Sequence, residues 1–185
     1  MLSAPLRDRF PLRESLDFYT VQELATIVER NARILRVPID ESSCEVIASR
    51  SRGTPRLANN RLRWVRDYTT SRADGRIHRD LTLAALEMQE IDVLGLGRQE
   101  RRYLETLMRV FGGGPAGIEA IAHTMNASID TLVDETEPYL LRTEMVVRTP
   151  RGRVVTPKAW EHLKLAPSNL RGTESGDEAG QGRLF

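Results

Sequence analysis

One cysteine, Cys44, stands in a chain of 185 residues. A single thiol excludes an intramolecular disulfide and any cysteine-based metal cluster. The three histidines, His78, His123 and His162, lie far apart and share no ligand-type spacing, so no metal site is expected. Aromatic residues make up only 5%, which leaves the core to aliphatic side chains. No apolar run approaches the ~20 residues that a membrane helix needs. The opening Met-Leu-Ser-Ala-Pro-Leu-Arg-Asp-Arg-Phe has no signal-peptide apolar core. The expectation is a soluble cytoplasmic protein with no membrane partner. A net charge of +1 gives no general attraction to polyanions.

Charge is present locally instead. Between Arg50 and Asp80 there are nine arginines and three aspartates, with no lysine or glutamate. An arginine excess inside a nearly neutral chain points to a defined anionic contact. Within this stretch, Arg52-Gly53-Thr54-Pro55-Arg56 has the chemistry of a helix start. Gly53 permits a sharp turn, Thr54 suits the N-cap and Pro55 the first helical position. Arg56 then falls in the first turn, where a cation is mildly unfavourable by itself. A helix N-terminus joined by a guanidinium is a site for an anion.

A second arginine cluster follows downstream. Met145-Val146-Val147 and Val154-Val155-Thr156 read as two strands, joined by a turn over Thr149-Pro150-Arg151-Gly152. Proline fits position i+1 of a type I turn, and glycine the left-handed residue that closes it. Arg148 and Arg153 flank the turn and Arg151 sits in it. Three guanidinium groups on one loop repel unless an anion collects between them, and guanidinium binds phosphate bidentately. An exposed arginine turn can also be only a solvated hairpin tip, so context decides. Ile118–Met125 reads as a short amphipathic helix, Asn126-Ala127-Ser128 as a turn, and Asp130–Leu141 as a helix. Helix, helix, turn, helix and basic hairpin is the order of a winged helix, whose wing tracks nucleic-acid backbone.

The rest of the chain is mostly helical. With 185 residues it can hold one ordinary domain or two small ones. Residues 1–15 read as the end of a domain whose body lies elsewhere. Asp17-Phe18-Tyr19 is expected as a short β-like link. Thr20 and Glu23 form a capping box for a helix through Ile34, broken by Pro38. Asp40 or Glu41 opens a second helix, with Val46 and Ile47 inward. A third runs from Pro55 to near Thr70, Asp74-Gly75 makes a turn, and Asp80 is expected to cap a fourth, with Leu83, Leu86 and Met88 apolar. Leu94-Gly95-Leu96-Gly97 marks a boundary, followed by a helix over Arg98–Phe111. Trp160 and Leu163 on a final short helix are core candidates. The expected division is 1–15 remnant, 16–93 helical bundle, 94–167 winged helix and 168–185 disordered tail.

Several stretches together resemble the RuvB family, bacterial AAA+ motors that drive branch migration of Holliday junctions. They are Pro5-Leu6-Arg7-Asp8-Arg9-Phe10, Leu16-Asp17-Phe18-Tyr19, Arg52-Gly53-Thr54-Pro55-Arg56-Leu57-Ala58-Asn59, Val65-Arg66-Asp67-Tyr68, Gly113-Gly114-Pro115-Ala116-Gly117, Glu137-Pro138-Tyr139-Leu140 and Arg148-Thr149-Pro150-Arg151-Gly152-Arg153. The resemblance implies a mostly α chain: an AAA+ small helical lid, then a winged-helix domain with a β-hairpin wing. It implies that Arg9 is the arginine finger reaching the γ-phosphate of ATP on a neighbouring subunit. It places Tyr19 against the nucleotide, makes Arg56 the lid's phosphate sensor, and gives Arg148 and Arg153 the DNA backbone, with Arg151 beside them.

The departures from the family are equally specific. The sequence contains no Gly-x-x-x-x-Gly-Lys-[Ser/Thr] phosphate loop and no Walker B acidic motif, and Pro11 stands where the family usually has glycine. ATP and Mg²⁺ would need a large domain absent here, as would contact with the family's RuvA-like junction-binding partner. The chain thus reads as the C-terminal half of a homo-hexameric translocase acting on duplex and four-way junction DNA, inactive as an ATPase alone: a fragment, a split gene or a truncated gene model. Two other functions fit less well. A stand-alone winged-helix regulator would need a helix able to read bases, but Ser128–Leu141 carries Asp130, Asp134, Glu135 and Glu137. A non-catalytic partner of a full-length motor would donate Arg9 to it.

Overall fold

The computed structural model describes residues 16–165, together with Arg9 and Glu14. Most of the 1–15 remnant and the expected tail at 168–185 lie outside the described residues. The chain divides into two compact units between Leu96 and Gly97.

Among the described residues the first unit has four helices: α1 (Val21–Ile34), α2 (Glu41–Ser49), α3 (Pro55–Arg72) and α4 (Arg79–Met88). The capping box that starts α1 forms as read. The Glu23 amide donates to Thr20 Oγ1 at 3.2 Å and the Thr20 amide donates to Glu23 Oε2 at 2.8 Å. Two otherwise unpaired N–H groups are thereby satisfied. Leu24, Val28 and Ala32, one turn apart, form the buried stripe of α1. Asp40 caps α2 by accepting from the Ser43 amide at 2.7 Å. The aliphatic core is closed by Ile47, Leu62 and Ile77, all fully buried. Each such side chain contributes about 1.5–3 kcal/mol.

Some local readings shift. Asp17-Phe18-Tyr19 joins no strand, and the Tyr19 amide ties it to the bundle by donating to the Gly53 carbonyl at 3.0 Å. α3 runs two residues past Thr70. His78, not Asp80, is the N-cap of α4, and Asp80 lies in the first turn. The cause is a parallel bridge between Ile39 and Ile77, which holds the backbone extended up to His78 and sets where the helix can begin. Thr82, Ala85 and Leu86 then take the buried positions, and Met88 is left 59% exposed on the other side.

The second unit begins with α5 (Arg98–Arg109), whose cap is Gly97, and α6 (Ile118–Met125), which ends on Asn126 in the left-handed region (φ 49°). The next stretch is helical, as read, but not uniformly so. It starts as a short α turn, α7 (Ile129–Thr131), widens to a π turn over Leu132–Thr136 and returns to α8 (Glu137–Arg142). Proline at 138 has no N–H to continue the α pattern, and the Glu137 amide donates five residues back to Leu132.

The hairpin follows, β1 (Val146–Thr149) and β2 (Gly152–Val155), antiparallel with Val146 opposite Val155, Arg148 opposite Arg153 and Thr149 opposite Gly152. α9 (Pro157–Leu163) closes the unit, with Trp160 against Gly113. The glycine-rich segment after α5, which reads as a spacer, also ties to β2 through an isolated antiparallel bridge between Ala116 and Arg153. The Arg153 amide donates to the Ala116 carbonyl at 2.8 Å, the Ala116 amide to the Arg153 carbonyl at 3.0 Å, and the Val155 amide to the Gly113 carbonyl at 2.8 Å. Such close approach explains two glycines: a Cβ on Gly114 would strike the Arg153 carbonyl, and one on Gly152 (φ 135°) the Ala116 carbonyl.

Candidate functional site

At the lid end, the sequence brings Tyr19 and the Arg52–Arg56 stretch together. Gly53 adopts φ 68°, and a Cβ there would meet the Phe18 Cβ at 2.7 Å. Only glycine lets the Phe18-Tyr19 link cross this close. Thr54 occupies the N-cap of α3, but its hydroxyl turns back to the Arg52 carbonyl at 3.3 Å and caps nothing. Pro55 has no N–H to satisfy, and the first turn carries no acid. The Arg56 and Leu57 amides therefore lack a side-chain cap, and the exposed Arg56 guanidinium has no carboxylate partner among the described residues. Free amides, the positive end of the helix dipole and a guanidinium are the donor set that a phosphate takes. Tyr19 is 47% exposed beside them. Arg9 is exposed, with neighbours outside the described residues.

The same loop is fastened on its other side. Arg52 Nε donates to the Gly95 carbonyl at 2.7 Å, buried Arg61 reaches that carbonyl at 3.3 Å, and Arg50 Nη1 donates to the Ile91 carbonyl at 3.1 Å. Asp92 accepts from the Leu94 and Leu96 amides at 2.9 and 2.8 Å. Part of the arginine excess in this region therefore holds the segment that ends the lid. Cys44 is buried, and burial pushes its thiol up to about 11, so it is not a nucleophile near neutral pH.

At the wing, an anion does collect between the arginines, and it belongs to the protein. Glu137 is fully buried at the start of α8. Its Oε2 accepts from Arg148 Nε at 2.9 Å and from Arg148 Nη2. Its Oε1 accepts from Arg153 Nε at 2.8 Å and from the Tyr103 hydroxyl at 2.6 Å. Arg153 Nη2 lies 3.4 Å from Oε2. Burial raises the carboxyl pKa, but the hydrogen bonds from Arg153, Tyr103 and Arg148 outweigh it and hold Glu137 below the ordinary carboxylate range. The Tyr103 phenol is pushed well above its ordinary value by burial and by its bond to Glu137. The bond to Glu137 raises the Arg153 guanidinium.

The three wing arginines thus differ. The Arg153 side chain is 18% exposed, with Nε and Nη2 turned to Glu137. Arg148 is 46% exposed and offers its outer edge to solvent. Arg151, at the tip, is exposed and has no partner among the described residues. Sequence reasoning brought Arg148 and Arg153 together but missed Glu137 and Tyr103. The signal was available: Glu137 stands three residues before Leu140 on a buried helical face, and a carboxylate there requires cations. Among the described residues no His, Cys, Asp and Glu group could hold a metal ion, and no helix is long and apolar enough to cross a membrane.

The two units agree with known domains. Residues 19–92 match the RuvB AAA lid domain, and residues 93–164 match the RuvB C-terminal winged helix domain. The Holliday junction branch migration complex subunit RuvB of Rhodopirellula baltica is 62% identical over 164 residues, which cover 89% of this chain and 45% of that protein. The corresponding subunit of Pseudothermotoga lettingae is 48% identical, with 93% and 50% covered. Among solved structures, the Thermotoga maritima RuvB Holliday junction branch migration motor superposes with a TM-score of 0.83 at 46% identity, covering 89% of this chain and 55% of that one. The chain spans about half the length of the relatives it matches. By its lid, its winged helix and the order in which they follow each other, the chain belongs to the RuvB family.

Proposed function

We propose that this chain supplies nucleotide sensing and DNA-backbone binding to a RuvB-type motor that uses ATP to drive branch migration of Holliday junctions in recombination and repair. The observation that carries the reading is the uncapped start of α3, where free amides, Arg56 and Tyr19 stand together on a lid of this family. In this reading Arg56 binds phosphate from the lid side and Tyr19 lies along the nucleotide. Arg9 reaches the γ-phosphate held by a neighbouring subunit of a homo-hexamer. ATP supplies the driving force when bound, and Mg²⁺ and the β-phosphate are held by a P-loop domain that this sequence does not contain. Contact with a RuvA-like junction-binding protein belongs to that domain as well. The cytoplasm is the expected setting. On the DNA side, the outer edge of Arg148 and the tip residue Arg151 contact phosphates, and Arg153 acts from behind them.

Two measurements test this. The chain alone should bind duplex and four-way junction DNA weakly, with log affinity falling against log salt by about 0.9 for each phosphate contacted, and should hydrolyse no ATP. Base-selective binding, or ATP turnover by the chain alone, would overturn the reading. Joined to the P-loop domain of a RuvB relative, it should hydrolyse ATP. Arg9→Ala should then lower turnover by about 10³-fold or more, as for other arginine fingers. Unchanged turnover would remove Arg9 from that role.

A further inference from the structure

A buried carboxylate between two arginines of a DNA-facing hairpin is an unexpected arrangement. The register places Arg148 opposite Arg153, so both guanidinium groups leave one face of a two-stranded ribbon. Two unit charges on one face, both free, would be a ready clamp for successive phosphates. Glu137 prevents this. It lies under the ribbon, has no exposure, and accepts from Nε of both arginines. Tyr103 closes the remaining side of Oε1. The three charges sum to one positive charge, and that charge shows at the 46% exposed Arg148 rather than at the 18% exposed Arg153.

We propose that Glu137 is a positioning residue that limits the wing's hold on DNA: it occupies the inner edges of Arg148 and Arg153 as an internal stand-in for a phosphate, so that the pair offers the backbone one contact instead of two. The inference rests on the reading of the wing as a DNA-backbone contact and specifies its strength. A motor that advances along DNA must release each phosphate it grips, and a built-in competitor keeps that release fast. A merely structural Glu137 would instead pin the hairpin and leave the number of phosphate contacts unaffected.

The test uses the 185-residue chain and a fluorescent duplex, titrated across a salt series. Glu137→Gln keeps the size of the side chain and removes its charge. Its salt slope should steepen by about 0.9, so that its affinity loss between about 50 and 200 mM salt exceeds that of the wild type by about 3.5-fold. Binding at the lowest salt should be tighter than wild type. The double variant Glu137→Gln/Arg153→Gln removes both members of a buried pair, which proteins tolerate better than the loss of one, and so gives a result even where the single variant folds poorly. It restores the net charge of one, and its slope should return to the wild-type value. Weaker binding by folded Glu137→Gln at an unchanged slope, or a double variant one contact short of wild type, would overturn the inference. The footing is tested separately by Arg151→Ala, which should flatten the wild-type slope by about 0.9. No duplex binding by the wild type would sink the reading of the wing, and the inference with it.

Discussion

The lid and the winged helix use arginine differently. In the lid, Arg50, Arg52 and Arg61 reach the backbone carbonyls of Ile91 and Gly95. In the winged helix, Arg148 and Arg153 converge on a single carboxylate. A carbonyl does not titrate and cannot be removed by substitution, so the lid's anchorage persists across pH. A carboxylate can be protonated or mutated, so the wing's anchorage depends on one side chain. The first arrangement fixes a segment; the second joins three charged groups whose charges sum to one positive charge.

The contrast can be broken most severely at Glu137. Each unit carries one tryptophan, Trp64 in the lid and Trp160 in the winged helix, so fluorescence of the Trp64→Phe and Trp160→Phe proteins follows the units separately. Glu137→Ala leaves two guanidinium groups and a phenol facing a void, and should destabilise the winged helix by about 3 kcal/mol. Denaturant unfolding read at Trp160 should shift, with the Trp64 transition unchanged. Gly152→Ala comes next. It adds a Cβ into the Ala116 backbone at positive φ and should cost about 2 kcal/mol or more, whereas Gly75→Ala in the lid, with open space around it, should cost only about 1 kcal/mol of backbone strain. Equal losses at the two glycines would show that the close approach of the Ala116 backbone to β2 contributes no rigidity.

Acid sharpens the same comparison. The Glu137 pKa is lowered in the folded protein from an ordinary value of 4.5. Its contribution is therefore complete above that value and is lost as pH falls through the folded pKa. Trp160 should report unfolding in acid before Trp64 does, since the lowered carboxyls of the lid, Glu23 and Asp40, are caps near the surface. The smallest effects lie at two helix starts in the lid. Thr20→Ala breaks a capping box and should cost about 1 kcal/mol. Thr54→Ala removes a hydroxyl that caps nothing and should leave thermal unfolding within about 0.5 kcal/mol of wild type.

What could be read from the sequence follows from how local each signal is. The Thr20–Glu23 box, the Asp40 cap and the Thr149–Gly152 turn each depend on a few adjacent residues, and all three form. The start of α4 depends on Ile39, far away in sequence, and Asp80 gave no hint of it. The Gly113–Ala116 segment reads as a spacer because its pairing partner, Arg153, lies beyond all the helical structure from Ile118 to Arg142. The wing arginines were legible as anion-seeking, but not their anion. At the wing the nearest one was Glu137, eleven residues before Arg148, in a stretch where acids suggested only a helix unsuited to the major groove. The π turn made that harder to see, since one extra residue per turn shifts which side chains face inward.

The fastening of residues 91–96 to the lid has a practical consequence for dissecting the molecule. The lid family's match ends at residue 92, yet Gly95 supplies the acceptor for Arg52 and Arg61. A lid excised at Asp92 would forfeit that acceptor and the Leu96 side chain, which is fully buried. Recombinant work on either half is better divided after Leu96, where the first compact unit ends.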